Sequence, residues 1–334
     1  MGLVWRVALV VGWVVCGCGG LPAGAPGPEG RLVVPVLLSA VQVDAANDAI
    51  VWRDLEGRFQ SEPTVEGISL ELERGLHWRV NGGAIYVADQ DLSVWQGGQQ
   101  RVIAADIGGT AGSPRSAREL LVDADAAYLG QQTSGDSPMA LVRIDLKTGT
   151  QLTLVEERPL FGALAQDVDS LFFVESPFRV ARVAKSGVGG DVTLLDKAEL
   201  SQLFPGSRTP QPSRIATDSE HVYLTINNQN GAQVGGVIEV DRASGAVTVL
   251  ARDELYPLGI AVDSSHVYYT RNDYGAGAVV RIPKQGGEPE IVATRQLRPI
   301  GVLLTSTDVY WENRYGERID PPAKEPELRS IRKP

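Results

Sequence analysis

Short runs of apolar and aromatic residues recur along the chain, each after a tight cluster of Asp, Ser, Asn or Gly. The segments at residues 216–225 and 261–270 match at seven of ten positions, and five further segments follow the same pattern. This pattern predicts a strand, a polar turn and an aromatic-rich second strand in every copy. One anchor residue marks each copy, at spacings of 35, 42, 44, 51, 45 and 42 residues: Val51, Tyr86, Tyr128, Phe172, Tyr223, Tyr268 and Tyr310.

A second hairpin with a Gly at its turn follows in the strongest copies, as at residues 143–152 and 239–247. Four short strands in roughly 43 residues are typical of a β-propeller blade. We therefore expect an all-β protein, a β-propeller of four-stranded antiparallel blades, with seven blades and six as the alternative. The last copy contains only three strands, so residues 31–38 are expected to add its outer strand and close the ring.

The segments ending in Val267-Tyr268-Tyr269-Thr270 and Val309-Tyr310-Trp311-Glu312-Asn313 carry a family resemblance. They resemble the blades of the YWTD, NHL and TolB-like propeller families and repeats of the YVTN type. The resemblance covers residues 31–334 and implies the fold. It does not imply one function, because propellers carry many.

The N-terminus has the composition of an export signal. Arg6 is the only charged residue among the first 28, and the apolar run that follows it is too short to span a membrane. The sequence Val15-Cys16-Gly17-Cys18 resembles a bacterial lipobox, which implies a lipid on Cys18. We expect a lipoprotein signal peptide at residues 1–17, a Gly/Pro-rich tether at 18–30 and the propeller at 31–334. A plain secretory signal is the alternative.

The same resemblance implies an exported protein anchored in the cell envelope. Gly19 and Gly20 follow the lipobox cysteine, which implies the outer membrane, facing the periplasm. The net charge of −10 argues against a nucleic-acid partner. Two cysteines, three scattered histidines and no metal-binding spacing predict neither a metal nor another cofactor.

Two repeated features are expected to be structural. Asp123, Asp167, Asp218 and Asp263 each begin a turn between first and second strands, which predicts caps that bond the turn backbone. Glycines in the pattern bulky-Gly-apolar, at positions 162, 259 and 301, are expected where strands crowd at the central channel.

Loops after the second strands, with the connections between blades, are expected to form the ligand face. Asn, Arg, Asp and Tyr side chains from several blades would meet there and hydrogen-bond a polar ligand. We expect a binding or scaffold module for a protein or polysaccharide partner. A propeller enzyme (lyase, hydrolase or quinone-dependent dehydrogenase) with a site in the channel is the alternative, which convergent carboxylates or a bound metal there would favour. The candidate ligand-binding residues are Asn227, Asn228, Arg271, Asn272, Asp273, Tyr274, Asn313, Arg314 and Tyr315.

Overall fold

In the computed structural model, each anchor of the repeat lies in the second strand of its own antiparallel sheet. The seven sheets are the blades of a seven-bladed β-propeller, which confirms the prediction of seven blades. The structure describes residues 28–34, 41–54, 57–66, 77–107, 118–132, 139–158, 160–175, 178–205, 210–228, 234–273, 276–314 and 326–334.

The strands of each blade follow one another in chain order from the channel outward. Blade 1 has, within the described residues, β2 (Gln42–Asp44), β3 (Ala49–Arg53) and β4 (Phe59–Glu62). Blade 2 has β5 (His77–Asn81), β6 (Ala84–Ala88), β7 (Leu92–Gln96) and β8 (Gln99–Ala104). Blade 3 has β9 (Arg118–Val122), β10 (Ala126–Gln132), β11 (Met139–Asp145) and β12 (Gln151–Arg158). Blade 4 has β13 (Leu160–Gln166), β14 (Ser170–Glu175), β15 (Arg179–Ala184) and β16 (Asp191–Leu195).

The remaining blades repeat this order. Blade 5 has β17 (Pro210–Thr217), β18 (His221–Asn228), β19 (Val234–Asp241) and β20 (Val247–Leu255). Blade 6 has β21 (Pro257–Val262), β22 (His266–Arg271), β23 (Gly277–Pro283) and β24 (Glu290–Gln296). Blade 7 has β25 (Pro299–Leu304), β26 (Asp308–Asn313), β27 (Glu327–Arg332) and, as its outer strand, β1 (Arg31–Val34).

The first strand of every blade lines the central channel. These seven strands contact one another in a closed circle, and the circle ends where β25 meets β2. The predicted crowding is confirmed at Gly259, because a Cβ there would lie 2.8 Å from the backbone N of Val302. The channel wall is therefore close-packed backbone, and the longer side chains of these strands decide its chemistry.

The hydrophobic core is divided among the gaps between neighbouring blades. Seven clusters of buried residues each join two adjacent blades, the last joining blade 7 to blade 1. The long spacing between Phe172 and Tyr223 holds the helix α1 (Lys197–Leu203), which Asp196 and Glu199 begin with a capping box. Within the described ranges, no helix reaches the length and hydrophobicity that crossing a membrane requires.

The N-terminal strand closes the ring as predicted. β1 pairs antiparallel with β27, with Arg31 opposite Ser330 and Val34 opposite Leu328. Ahead of the strand, the carbonyl of Pro28 accepts a hydrogen bond from the backbone N of Thr294 in blade 6. Both ends of the described chain therefore build blade 7, and the strand lies within the predicted segment 31–38.

Candidate functional site in the central channel

Two repeat positions place side chains at the channel. One is nine residues before the anchor, on the first strand, and the other is two residues after it, on the second strand. Blades 5 and 6 show the ordinary arrangement, in which Thr225 and Thr270 each bond the backbone N of the facing first-strand residue. Charged residues occupy one of these two positions at Glu119 in blade 3, Arg214 in blade 5 and Glu312 in blade 7.

Arg214 presents an exposed guanidinium on β17, at a β-bulge. Its backbone N donates to Thr225 Oγ1 at 3.2 Å, and its Nη1 donates to the carbonyl of Ser213 at 3.1 Å. In the part of the chain that the structure describes, no carboxylate lies within ion-pair distance of this side chain. β-bulges are common beside binding sites because they redirect one side chain, and this one directs an arginine.

Glu312 lies on β26, directly opposite Gly301 of β25. Because Gly301 has no side chain, the carboxylate lies over its backbone, and a Cβ there would lie 3.5 Å from Oε2. Oε1 accepts a hydrogen bond from the backbone N of Val41 at 2.6 Å, which joins blade 7 to blade 1. Burial raises the pKa of Glu312 to about 7, against the opposing effects of the Val41 N–H and Arg214.

Glu119 and Arg79 form a second charged pair at the channel. Glu119 has a left-handed backbone with φ of 54°, and its Oε2 lies 3.9 Å from Nη2 of Arg79. Burial raises the pKa of Glu119 above its ordinary value, although Arg79 and Arg214 both lower it. Burial also lowers the pKa of Arg79.

Arg214 is thus the neighbour that the two carboxylates share, since its charge lowers the pKa of both Glu119 and Glu312. The four groups come from four blades and alternate in sign. They offer a ligand one guanidinium without an ion-pair partner and two carboxyl groups that protonate more readily than usual. This arrangement can bind a polar or anionic ligand and can transfer a proton near neutral pH.

Sequence reasoning missed these four residues because it searched for motifs and for loops. A signal was present for Glu119, Arg214 and Glu312, since they occupy repeat positions that most other blades fill with Gly, Ala, Val or Thr. A charged residue departs from the structural pattern where most other copies of the repeat carry a small residue. Such a residue is visible when the copies are aligned position by position.

The described ones among the predicted residues of blades 6 and 7 lie at the ends of second strands or directly after them. They belong to the loop face, defined as the loops after second strands plus the connections between blades. Asn272 donates from Nδ2 to the carbonyl of Pro299 at 3.0 Å, and it accepts from Nε of Arg298. Buried Asn313 donates to Gln296 Oε1 and Glu327 Oε1 at 3.0 and 2.9 Å. These contacts hold the connection between the two blades.

Arg271 is bound to the carboxylate of Glu254 in a bidentate pair, with Nη2 2.7 Å from Oε1. Burial lowers the pKa of Arg271, but the hydrogen bonds and charge of Glu254 outweigh it and raise the pKa. Glu254 itself is 4% exposed. The structure therefore gives Arg271 an intramolecular role between blades 5 and 6, and ligand binding by it stays a prediction.

Asn227 contacts the bulge that carries the channel residue Arg214. Its Nδ2 donates to Ser213 Oγ at 2.7 Å, and Ser213 precedes Arg214 in the bulge. Asn228 pairs with Pro210 in the same ladder, Asp273 follows β22, and Arg314 is exposed. Tyr274, Tyr315 and Cys18 lie outside the described residues.

The four aspartates predicted as caps bond the backbone of their turns, as expected. Oδ1 of each accepts two backbone N–H groups of its own turn, as Asp218 does from Glu220 and His221 at 2.9 and 2.8 Å. A cavity of about 570 Å³ opens beside the turns of blades 5 and 6, and its acidic lining includes Asp218 and Asp263. Within the described residues, no group of three or more His, Cys, Asp or Glu side chains is arranged to hold a metal ion.

Comparison with solved structures identifies β-propellers at low sequence identity. Hydrazine synthase of Kuenenia stuttgartiensis is 14% identical, with a TM-score of 0.60 over 94% of this chain and 99% of that chain. Oligogalacturonate lyase in complex with manganese is 12% identical, with a TM-score of 0.59 over 92% and 98%. YCF48 bound to D1 peptide is 13% identical, with a TM-score of 0.58 over 90% and 93%.

At these identities the likeness shows the fold alone, and the three structures include enzymes and a peptide-binding protein. No protein-family model matches the chain. No curated protein matches it in sequence.

Proposed function

We propose that this protein is an exported, lipid-anchored β-propeller that binds a protein or polysaccharide partner in the cell envelope. The ligand reaches the central channel from the loop face. The observation that carries this proposal is the exposed Arg214, directed into the channel between Glu119 and Glu312. Most other residues at these two repeat positions are small or apolar, the exceptions being Gln42, His77 and Arg53.

The anchoring part of the proposal rests on the sequence around Cys18 and on where the described chain begins. Pro28 lies against β24, on the outer edge of blades 6 and 7. The described chain therefore begins at the perimeter of the propeller and not at the channel. Metabolic labelling with a fatty-acid analogue in a bacterial host tests this, with loss of label in the variant Cys18→Ser; persistent label would refute Cys18 as the lipid site.

A melting-shift screen tests the binding function. The panel holds cell-wall polysaccharide fragments, peptides, divalent metals with and without EDTA, and redox cofactors. A ligand at 100 times its dissociation constant stabilises the folded state by about 2.7 kcal/mol. We expect a shift with a polysaccharide or peptide. A shift with only a metal or redox cofactor would refute the binding module and favour the enzyme.

One observation favours an enzyme as the second candidate. Glu312 has a pKa of about 7, the range in which a carboxyl group serves as a general acid or base at neutral pH. Its carboxylate and that of Glu119 share Arg214 as a neighbour, and no hydrogen bond joins the two within the described residues. Activity on any polysaccharide of the screen, lost in the variant Glu312→Gln with folding intact, would establish this candidate.

A further inference from the structure

The charges around Arg214 specify what kind of ligand group the channel can accept. The groups that face it are Glu119 from β9 and Glu312 from β26, and Arg79 from β5 already pairs with Glu119 at 3.9 Å. One positive charge is thus left for a ligand when Glu312 is protonated. The site is neutral when Glu312 is ionised.

We infer that Arg214 binds the carboxylate group of an organic acid in the central channel. This inference rests on the proposed binding function and names its ligand chemistry. A guanidinium donates two parallel hydrogen bonds to a planar carboxylate. The Arg214 side chain has the required freedom, because among the described residues its one side-chain hydrogen bond, to the carbonyl of its neighbour Ser213, uses only Nη1.

A carboxylate fits this site better than a phosphate or a cation. It carries a single negative charge, which Arg214 neutralises, whereas a phosphate would add a further charge beside Glu119 and Glu312. A cation would meet Arg214 directly. Protonated Glu312 can also donate a hydrogen bond to a bound carboxylate, while its ionised form repels one.

Two hydrogen bonds hold the bulge that carries Arg214. Its backbone N donates to Thr225, and Asn227 holds Ser213, so the bulge is bonded on both sides. A bonded bulge presents the guanidinium in a restricted region and lowers the entropy lost on binding. Asn227 is thereby a positioning residue for Arg214.

Two sources could supply the carboxylate: a uronic acid unit of a polysaccharide and the C-terminus of a peptide. Isothermal titration calorimetry of the purified protein distinguishes them with four probes. The acid probes are a glucuronate oligosaccharide and a peptide with a free C-terminus. Their neutral partners are the matching glucose oligosaccharide and the same peptide amidated at its C-terminus.

We expect one acid probe to bind at least tenfold more tightly than its neutral partner. The variant Arg214→Gln is expected to remove that preference, and Arg101→Gln, an exposed arginine on the outer strand of blade 2, is expected to keep it. Thermal melts establish that both variants fold. Equal binding of acid and neutral probes, or a preference unchanged in Arg214→Gln, would overturn the inference and leave the proposed binding function standing.

Binding is also expected to depend on pH. Between pH 8 and pH 6 the protonated fraction of a group with a pKa of 7 rises about tenfold, so acid-probe affinity rises by up to that factor. The variant Glu312→Gln carries no titrating carboxyl there and should flatten the dependence. An affinity that rises towards pH 8, or no binding by either acid probe at pH 6, would contradict the inference. In the second case, a hit in the melting-shift screen would show that the binding function survives.

Discussion

Glu312 shows how one residue changes the chemistry of a repeated position. In blades 5 and 6 the equivalent residues are Thr225 and Thr270, whose hydroxyl oxygens accept a backbone N–H from the first strand of their own blade, and Thr225 also donates to the carbonyl of Leu258 in blade 6. The longer Glu312 side chain passes Gly301 and reaches Val41 in blade 1 instead. It therefore links two blades and brings a carboxyl group with a raised pKa to the channel.

Arg271 was predicted to bind a ligand, but in the structure it forms an ion pair with the buried Glu254. We predict that Arg271→Ala lowers the free energy of unfolding by about 3 kcal/mol, because it leaves the Glu254 carboxylate buried without its counter-charge. Urea denaturation measures the loss. The exposed Arg314→Ala is the control and should change stability by less than about 0.5 kcal/mol.

A stability of Arg271→Ala equal to that of the unchanged protein would mean that the pair contributes nothing. If Arg271→Ala is destabilised as expected, its ligand binding has to be compared with that of the unchanged protein at a temperature where the variant is folded. The bidentate contact with Glu254 is the reason to expect that replacing Arg271 affects stability as well as binding.

At the scale of elements, neighbouring blades are joined by ion pairs that we name clasps. Each clasp joins the aspartate cap of one blade to a cation after the third strand of the next blade. The cation also lies over an anchor ring in three of the four clasps. The clasps are Asp123–Lys185, Asp167–Arg242, Asp218–Lys284 and Asp263–Lys333.

Blades 2 and 3 are not joined by a clasp, and their residues at the two clasp positions support this interpretation. The turn of blade 2 has Asn81 in place of the aspartate, and the position after the third strand of blade 3 is Leu146 in place of a cation. Leu146 packs in the core between these two blades. The two positions therefore differ together, as a contact between neighbouring blades requires.

We predict that Lys284→Met destabilises the protein mainly through Asp218. Burial raises the pKa of Asp218, but hydrogen bonds from Lys284, the turn backbone and Tyr223 lower it to about 2. A lowered pKa stabilises the fold above the ordinary value near 3.8, and this contribution is lost as pH falls towards 2. Without Lys284 the pKa of Asp218 lies nearer 3.8 and this contribution is smaller, so the variant is less stable above pH 3.8 and reaches its unfolding midpoint at a higher pH, which acid-unfolding curves measure.

Lys147→Met, at an exposed turn position of blade 3, is the matched control. At neutral pH we expect a cost of about 1 kcal/mol for Lys284→Met and none for Lys147→Met, since the clasp is only partly exposed. Identical acid-unfolding midpoints for the two variants would mean that the clasp does not stabilise the propeller.

At the scale of the whole molecule, the ring closes through strands from both ends of the chain. β1 covers β27 and places Val34 in the core between blades 7 and 1. Ahead of it, Glu29 accepts from Gln296, and Gln296 binds the indole of Trp311. Closure thus combines a strand ladder with a buried polar network.

We predict that a chain starting at residue 35 melts far below one starting at residue 27. The lost ladder hydrogen bonds contribute roughly 1 kcal/mol each, and the edge of β27 becomes exposed to aggregation. Calorimetry of the two chains measures the difference. Equal melting temperatures would show that β1 is not needed for closure.

The sequence alone determined the repeat, the blade number and the closing strand. The repeat and the blade number depend on local contacts: Asp218 bonds its own turn, and Tyr223 follows five residues later in the next strand. Such patterns recur in several blades, so they can be recognised without knowing how the blades pack, and the closing strand followed from the three strands of the last copy. The caps at the four aspartates were predictable for the same reason.

Only the tertiary structure decided which side chains share the channel. Arg214 and Glu312 are 98 residues apart, and closure of the ring places both at its axis. Tertiary packing also paired Arg271 with the buried Glu254 and buried Asn313, although the sequence presents both Arg271 and Asn313 as polar loop residues. The role of a charged residue depends on its neighbours on other blades, and the repeat pattern along the chain does not specify those neighbours.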